Sequence, residues 1–218
     1  MYSLITDAGD SGLLLPMALV ASGALWLLHS RRLAWLLARS VLAAGLAITA
    51  LKILFLSCAA HWVPGLASPS GHACLSAVVY GCLATVLAAG RPRPMRWLIG
   101  LGAVLFVAVI AVSRLTLGVH TLVEVLVGLA VGGVAQAWFA RSFARLAPLR
   151  IEGRLFGLAL AGTVLLAFGL RLPAESLLRH AARRIAFNCP GASSAPALPQ
   201  PARSSAPRSS ASERASWS

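Results

Sequence analysis

Two short polar runs stand out from an otherwise apolar chain. The first is Pro69-Ser70-Gly71-His72. The second is Ser113-Arg114, followed by His120 and Glu124. Each run sits at the end of a long apolar segment. Ionisable side chains at membrane depth are costly and mark function by default. Two histidines, an arginine and a carboxylate are the parts needed to break a phosphate ester without a metal.

Proline followed by serine reads as a helix start with Ser70 as N-cap. The N–H groups of Gly71 and His72 then lack intrahelical partners and suit an anion at the positive end of the helix. Glycine lets a phosphate approach the backbone, and His72 can give a proton to a leaving oxygen. The plain alternative is a capped start to a span. In the second run, His120 and Glu124 are four apart and are expected on one helical face. The carboxylate would take the N–H of one ring nitrogen and leave the other to attack. Arg114 offers a rigid fork for phosphate oxygens. The alternative is a buried ion pair with an interfacial arginine, yet Glu124 is the only acid between Asp10 and Glu152.

Lys52 is the only lysine in the chain. It lies in the outer half of an apolar run, where it either snorkels to the interface or points inward to neutralise phosphate. His29 closes the first apolar run in a structural role. His61 lies in a loop near Pro69, within reach of a substrate head group, and His180 is solvated. Carboxylates are too few for a magnesium site. Two histidines and a glutamate would suit zinc, but the metal-free reading ranks above it, so no metal or cofactor is expected.

The elements that must position these residues are membrane helices. The 218 residues are 58% hydrophobic and 11% charged, where soluble domains carry about 25% charged residues. Six apolar segments can be drawn, at 12–29, 41–58, 72–90, 97–113, 119–140 and 155–170, the fourth and sixth being short. The fold class is therefore all-α, a polytopic transmembrane bundle of five or six spans. A membrane barrel would need alternating strands, and none appear. Residues 1–11 are acidic and lack the basic start of a signal peptide, so the first run reads as a retained span. Residues 1–170 read as one transmembrane domain, 171–187 as a basic amphipathic helix suited to an anionic membrane surface, and 188–218 as a disordered Ser/Ala/Pro-rich tail. Gly128 and Gly132 form a small-xxx-small pattern that admits a neighbouring helix closely, or simply reflect abundant glycine.

The net charge of +13 comes from nineteen bases against six acids. Ten arginines fall in alternate connections: Arg31, Arg32, Arg39, Arg91, Arg93, Arg96, Arg141, Arg145, Arg150 and Arg154. The positive-inside rule makes those connections cytoplasmic and sets His72, Arg114 and His120 on the external, periplasmic side of the cytoplasmic membrane. Trp35, Trp97 and Trp138 fit an inner aromatic belt, and Trp62 an outer one. Bases placed by topology, with no aromatic-rich basic patch, argue against nucleic acid as a partner. If the sixth segment spans, a tail with seven arginines emerges outside; a re-entrant segment is the alternative. Of the four cysteines, Cys74 and Cys82 read as small core residues. A Cys58–Cys74 disulfide is the less favoured reading.

These motifs resemble the type-2 phosphatidic acid phosphatase family, whose helical core is shared with vanadium haloperoxidases. That family carries KxxxxxxRP, PSGH and SRxxxxxHxxxD. PSGH is complete at 69–72. The run from Ser113 to Glu124 matches the third motif with Glu in place of Asp, and the similarity covers about residues 40–140. The resemblance implies that His120 is the nucleophile that forms a phosphohistidine, that Glu124 orients it, and that His72 is the general acid. Arg114, Ser70 and Gly71 would hold phosphoryl oxygens, and Lys52 matches the first-motif lysine. Ala59 and Ala60 replace the first motif's arginine and proline, with His61 as a partial replacement. The implied partner is a lipid phosphate: a polyprenyl diphosphate, phosphatidic acid or phosphatidylglycerophosphate. Two rivals stand beside a phosphatase. One is a binding or transport protein that holds lipid phosphate without cleaving it, favoured by the missing arginine. The other is a phosphotransferase with an acceptor other than water.

Overall fold

The structure, a computed structural model, describes residues 6–56, 66–146 and 153–167. Cys58, Ala59, Ala60, His61, Trp62, the amphipathic segment at 171–187 and the tail at 188–218 lie outside them. The described residues form helices and no strand: α1 Ser11–Leu28, α2 Arg31–Leu54, α3 Gly71–Ala88, α4 Arg93–Thr116, α5 Leu122–Phe143 and α6 Gly153–Ala167. The first five are long and apolar enough to cross a membrane, so the protein is a multi-pass membrane protein. α6, with 15 residues, is shorter than the roughly 20 residues a span needs.

The chain runs up and down, so every second helix end falls on the same side. One end gathers the start of α1, the end of α2, the start of α3, the end of α4 and the start of α5. The other carries exposed Arg31, Arg32, Arg91, Arg93, Arg96, Arg141 and Arg145. Trp26, Trp35, Trp97 and Trp138 are exposed near that second end, and the Arg31 guanidinium lies 5.1 Å from the Trp26 ring centre.

Two helices begin earlier than their apolar runs. α2 starts at Arg31 rather than near 41. Leu33, Ala34, Leu37, Val41, Ala44, Ile48 and Lys52 form one buried stripe, and this helical periodicity carries the basic first turns along its outer face. α4 has 24 residues and is not short. Pro94 is accommodated in its first turn, and the helix runs through Ser113 and Arg114. Most of its side chains face outward, including Leu101, Val104 and Leu105. Such an apolar face suits hydrocarbon, since a soluble monomer rarely exposes so large a patch.

α5 starts later, at Leu122. Gly118 ends α4 in the left-handed region, with φ of 64°, a conformation that favours glycine at the residue following a helix. The seam that matters most for the site joins α3 to α5. A Cβ on Gly128 would overlap the carbonyl oxygen of Ser70, and one on Gly132 that of Cys74. The spaced glycines therefore bring the two backbones together. Cys74 is a free thiol buried in this region, and its Sγ lies 3.8 Å from the Ala44 carbonyl oxygen.

Candidate active site

The centre is built from a helix cap. Thr121 is the N-cap of α5: its Oγ1 accepts from the Glu124 N–H at 3.3 Å, and Glu124 Oε2 accepts from the Thr121 N–H at 3.1 Å. This reciprocal pair is a capping box. His120 precedes the cap, so it does not share a helical face with Glu124 as its spacing suggests. The carboxylate reaches back over the cap instead, and Oε2 accepts from His120 Nδ1 at 2.8 Å. With the proton on Nδ1 facing a carboxylate, Nε2 keeps its lone pair.

The other carboxylate oxygen, Oε1, accepts from the N–H groups of Ala67 at 3.0 Å and Ser68 at 2.6 Å. The Glu124 carbonyl accepts from the Ser70 N–H at 2.9 Å. One buried acid thus orients His120, caps α5 and ties down the chain just ahead of α3. Burial holds the His120 imidazole below its ordinary value of 6.5. The hydrogen bond to Glu124 works the other way, while the charges of Lys52 and Arg114 add to the lowering.

Ser70 caps α3, its Oγ accepting from the Ala73 N–H at 3.4 Å. The N–H groups of Gly71 and His72 precede the first i→i−4 bond of that helix, at its positive end. Lys52 is 4% exposed and points into the bundle rather than snorkelling. A Cβ added to Gly71 would stand 3.9 Å from Lys52 Nζ. Arg114 lies in the last turn of α4. The seven residues singled out from the sequence, Lys52, Ser70, Gly71, His72, Arg114, His120 and Glu124, therefore lie at one end of the bundle. Ser113 serves the frame: its Oγ donates to the Ile110 carbonyl at 2.7 Å. Among the described residues no group of three or more His, Cys, Asp or Glu side chains is arranged to hold a metal.

A cavity of about 500 Å³ opens between α1 and α2 beside this cluster. Asp10, Lys52 and His72 line its polar end, and Leu15, Val41 and Leu46 are among its apolar walls. Sequence reasoning missed four contributors. The Ala67 and Ser68 amides carry no side-chain signal. Thr121 was legible as the first member of a Thr-x-x-Glu capping box. Asp10, whose Oδ2 lies 3.4 Å from His72 Nε2, was legible as an acid at the mouth of a span in an acid-poor chain.

Among curated proteins and among solved structures, none matches this chain. A family model does: the PAP2 superfamily matches residues 53–147, a stretch that begins one residue after Lys52 and holds PSGH, Ser113-Arg114, His120 and Glu124. Over that stretch the chain is similar to the PAP2 superfamily, the type-2 phosphatidic acid phosphatases, a likeness that suggests a phosphatase-type membrane protein.

Proposed function

We propose that the protein hydrolyses a phosphate monoester or diphosphate on a lipid through a phosphohistidine. The observation that carries this reading is the 2.8 Å contact between His120 Nδ1 and Glu124, which leaves Nε2 as the attacking atom. The Nε2 lone pair forms a bond to phosphorus as the bond from phosphorus to the leaving oxygen breaks. His72 passes a proton to that oxygen. Water then attacks the phosphorus, the nitrogen–phosphorus bond breaks, and His72 takes the proton that the water gives up. Lys52, Arg114 and the amides of Gly71 and His72 hold the phosphoryl oxygens, stabilising charge as it develops. Ser70 keeps those amides in place.

The cavity supports a lipid substrate. Its α2 wall runs from Ala38 to Lys52, about 20 Å at 1.5 Å per residue, comparable to an extended acyl or prenyl chain. A phosphate at its polar end would lie beside Lys52 and His72. The arginines at the far end of the bundle favour a cytoplasmic location there, which supports a site on the external face of a cytoplasmic membrane.

The direct test gives detergent-solubilised protein a panel of the three lipid phosphates, in chelator, and measures phosphate release. The expected result is release from at least one lipid, lost in His120→Ala. Tight binding of the lipids without release would favour the lipid-phosphate binding reading.

A further inference from the structure

We propose that Asp10 is a positioning residue for His72, forming a second carboxylate–histidine pair that aims the proton-donating imidazole at the leaving oxygen. The proposal rests on the phosphatase reading above. Asp10 lies outside the stretch that matches the family model, and the segment bearing it comes from the far end of the sequence.

Three contacts hold that segment over the site. Tyr80 Oη on α3 donates to the Ala8 carbonyl at 2.7 Å. Thr6 Oγ1 lies 3.0 Å from Ser113 Oγ on α4. Gly9 packs so closely that a Cβ there would stand 2.6 Å from the Ile110 side chain. The carboxylate itself is fixed at both oxygens. Oδ1 accepts from the Gly12 N–H at 2.7 Å and caps α1. Oδ2 stands 3.4 Å from His72 Nε2. Both side chains are largely buried and line the polar end of the cavity with Lys52. A helix cap is thus used as a rigid mount for a charge directed at the general acid. Asp10 opposes the charge of an imidazolium there, and it limits rotation of a ring that otherwise stands at the first turn of α3. In the reaction the proton goes from His72 to the departing oxygen and returns from the water of the second step, so Asp10 itself gains and loses none.

Asp10→Asn separates this role from the cap, because asparagine caps as well as aspartate but carries no charge. The proposal predicts a loss that depends on the leaving group. With phosphatidic acid in detergent micelles, whose alkoxide needs a proton, kcat/KM, which reports the first chemical step, falls about tenfold or more. With p-nitrophenyl phosphate, whose phenolate departs unprotonated, kcat/KM stays within about twofold. Asp10→Ser, a second uncharged cap, shows the same selectivity. Adding Asp10→Asn to His72→Ala brings no further loss. Equal losses on both substrates, no loss on either, or losses that multiply in the double variant would overturn the proposal. An unmodified protein inactive on both substrates would overturn the phosphatase reading and this one with it.

Discussion

Replacing Glu124 by glutamine changes one oxygen into an NH₂ group and removes the charge. Four donors face the carboxylate: Ala67 N–H and Ser68 N–H on Oε1, Thr121 N–H and His120 Nδ1 on Oε2. The amide oxygen can serve only one pair. Ser68 is buried, and a buried N–H without an acceptor costs about 1–3 kcal/mol, whereas Thr121 is exposed and open to solvent. The oxygen therefore stays on Ala67 and Ser68, and the NH₂ turns to His120. An NH₂ group donates, so Nδ1 becomes the acceptor and the proton moves to Nε2, the atom that must attack. A comparable loss of tautomer control in a Ser-His-Asp triad lowers kcat about 10⁴-fold. We expect a fall of about 10²–10⁴ in kcat, a smaller change in KM, and a protein that still folds. Glu124→Asp keeps the charge and should be more active than the glutamine variant, although its arm is shorter by one methylene. The assay is phosphate release at saturating lipid phosphate, with thermal unfolding in detergent as the control. Unchanged kcat in Glu124→Gln would refute the orienting role, and an equal loss in the aspartate and glutamine variants would refute the separation of charge from reach.

His72→Ala should lower kcat about 10²–10⁴-fold, the range for a missing acid–base group, while still allowing labelled phosphoenzyme to form; undiminished turnover would remove His72 from the chemistry. Because burial holds His120 below 6.5, its neutral form persists to lower pH, and the acid limb of kcat/KM should fall below 6.5. By the same sign, the group's contribution to stability is present above 6.5 and is lost as pH falls through the lowered value; an acid limb above 6.5 in the rate profile would contradict the burial argument. Single cysteines at Ala67 and Pro94, both exposed, in a cysteine-free background should report the topology: an impermeant thiol reagent on intact cells labels 67 and spares 94, and the reverse would move the site to the cytoplasm.

The parts of the structure that were legible in the sequence are those encoded locally. Ser70 as the cap of α3 follows from Pro-Ser-Gly-His, and the stacking of ends follows from alternating arginines. The Gly128–Gly132 spacing carried the α3–α5 seam, although spacing alone could not tell a seam from abundant glycine. Boundaries failed where a buried stripe continues beneath charged residues, as at Arg31–Ser40, since hydropathy averages over faces that packing separates. The contact between His120 and Glu124 was foreseen, but its geometry was not. The i,i+4 spacing reads as one helical face, while Gly118 breaks the helix and Thr121 restarts it after His120. The partners of Glu124 at Ala67 and Ser68, and the approach of Asp10 to His72, depend on the tertiary path of the chain, which no local pattern specifies.

The central claim is that His120 Nε2 becomes bonded to phosphorus. Brief mixing with a lipid phosphate carrying labelled phosphorus, followed by quenching in alkali, should trap one acid-labile, base-stable phosphoryl group per chain. Peptide mass spectrometry should place it on His120 in the unmodified protein and in His72→Ala, with none in His120→Ala. Rapid phosphate release with no label at His120, or a label that survives His120→Ala, would contradict the account.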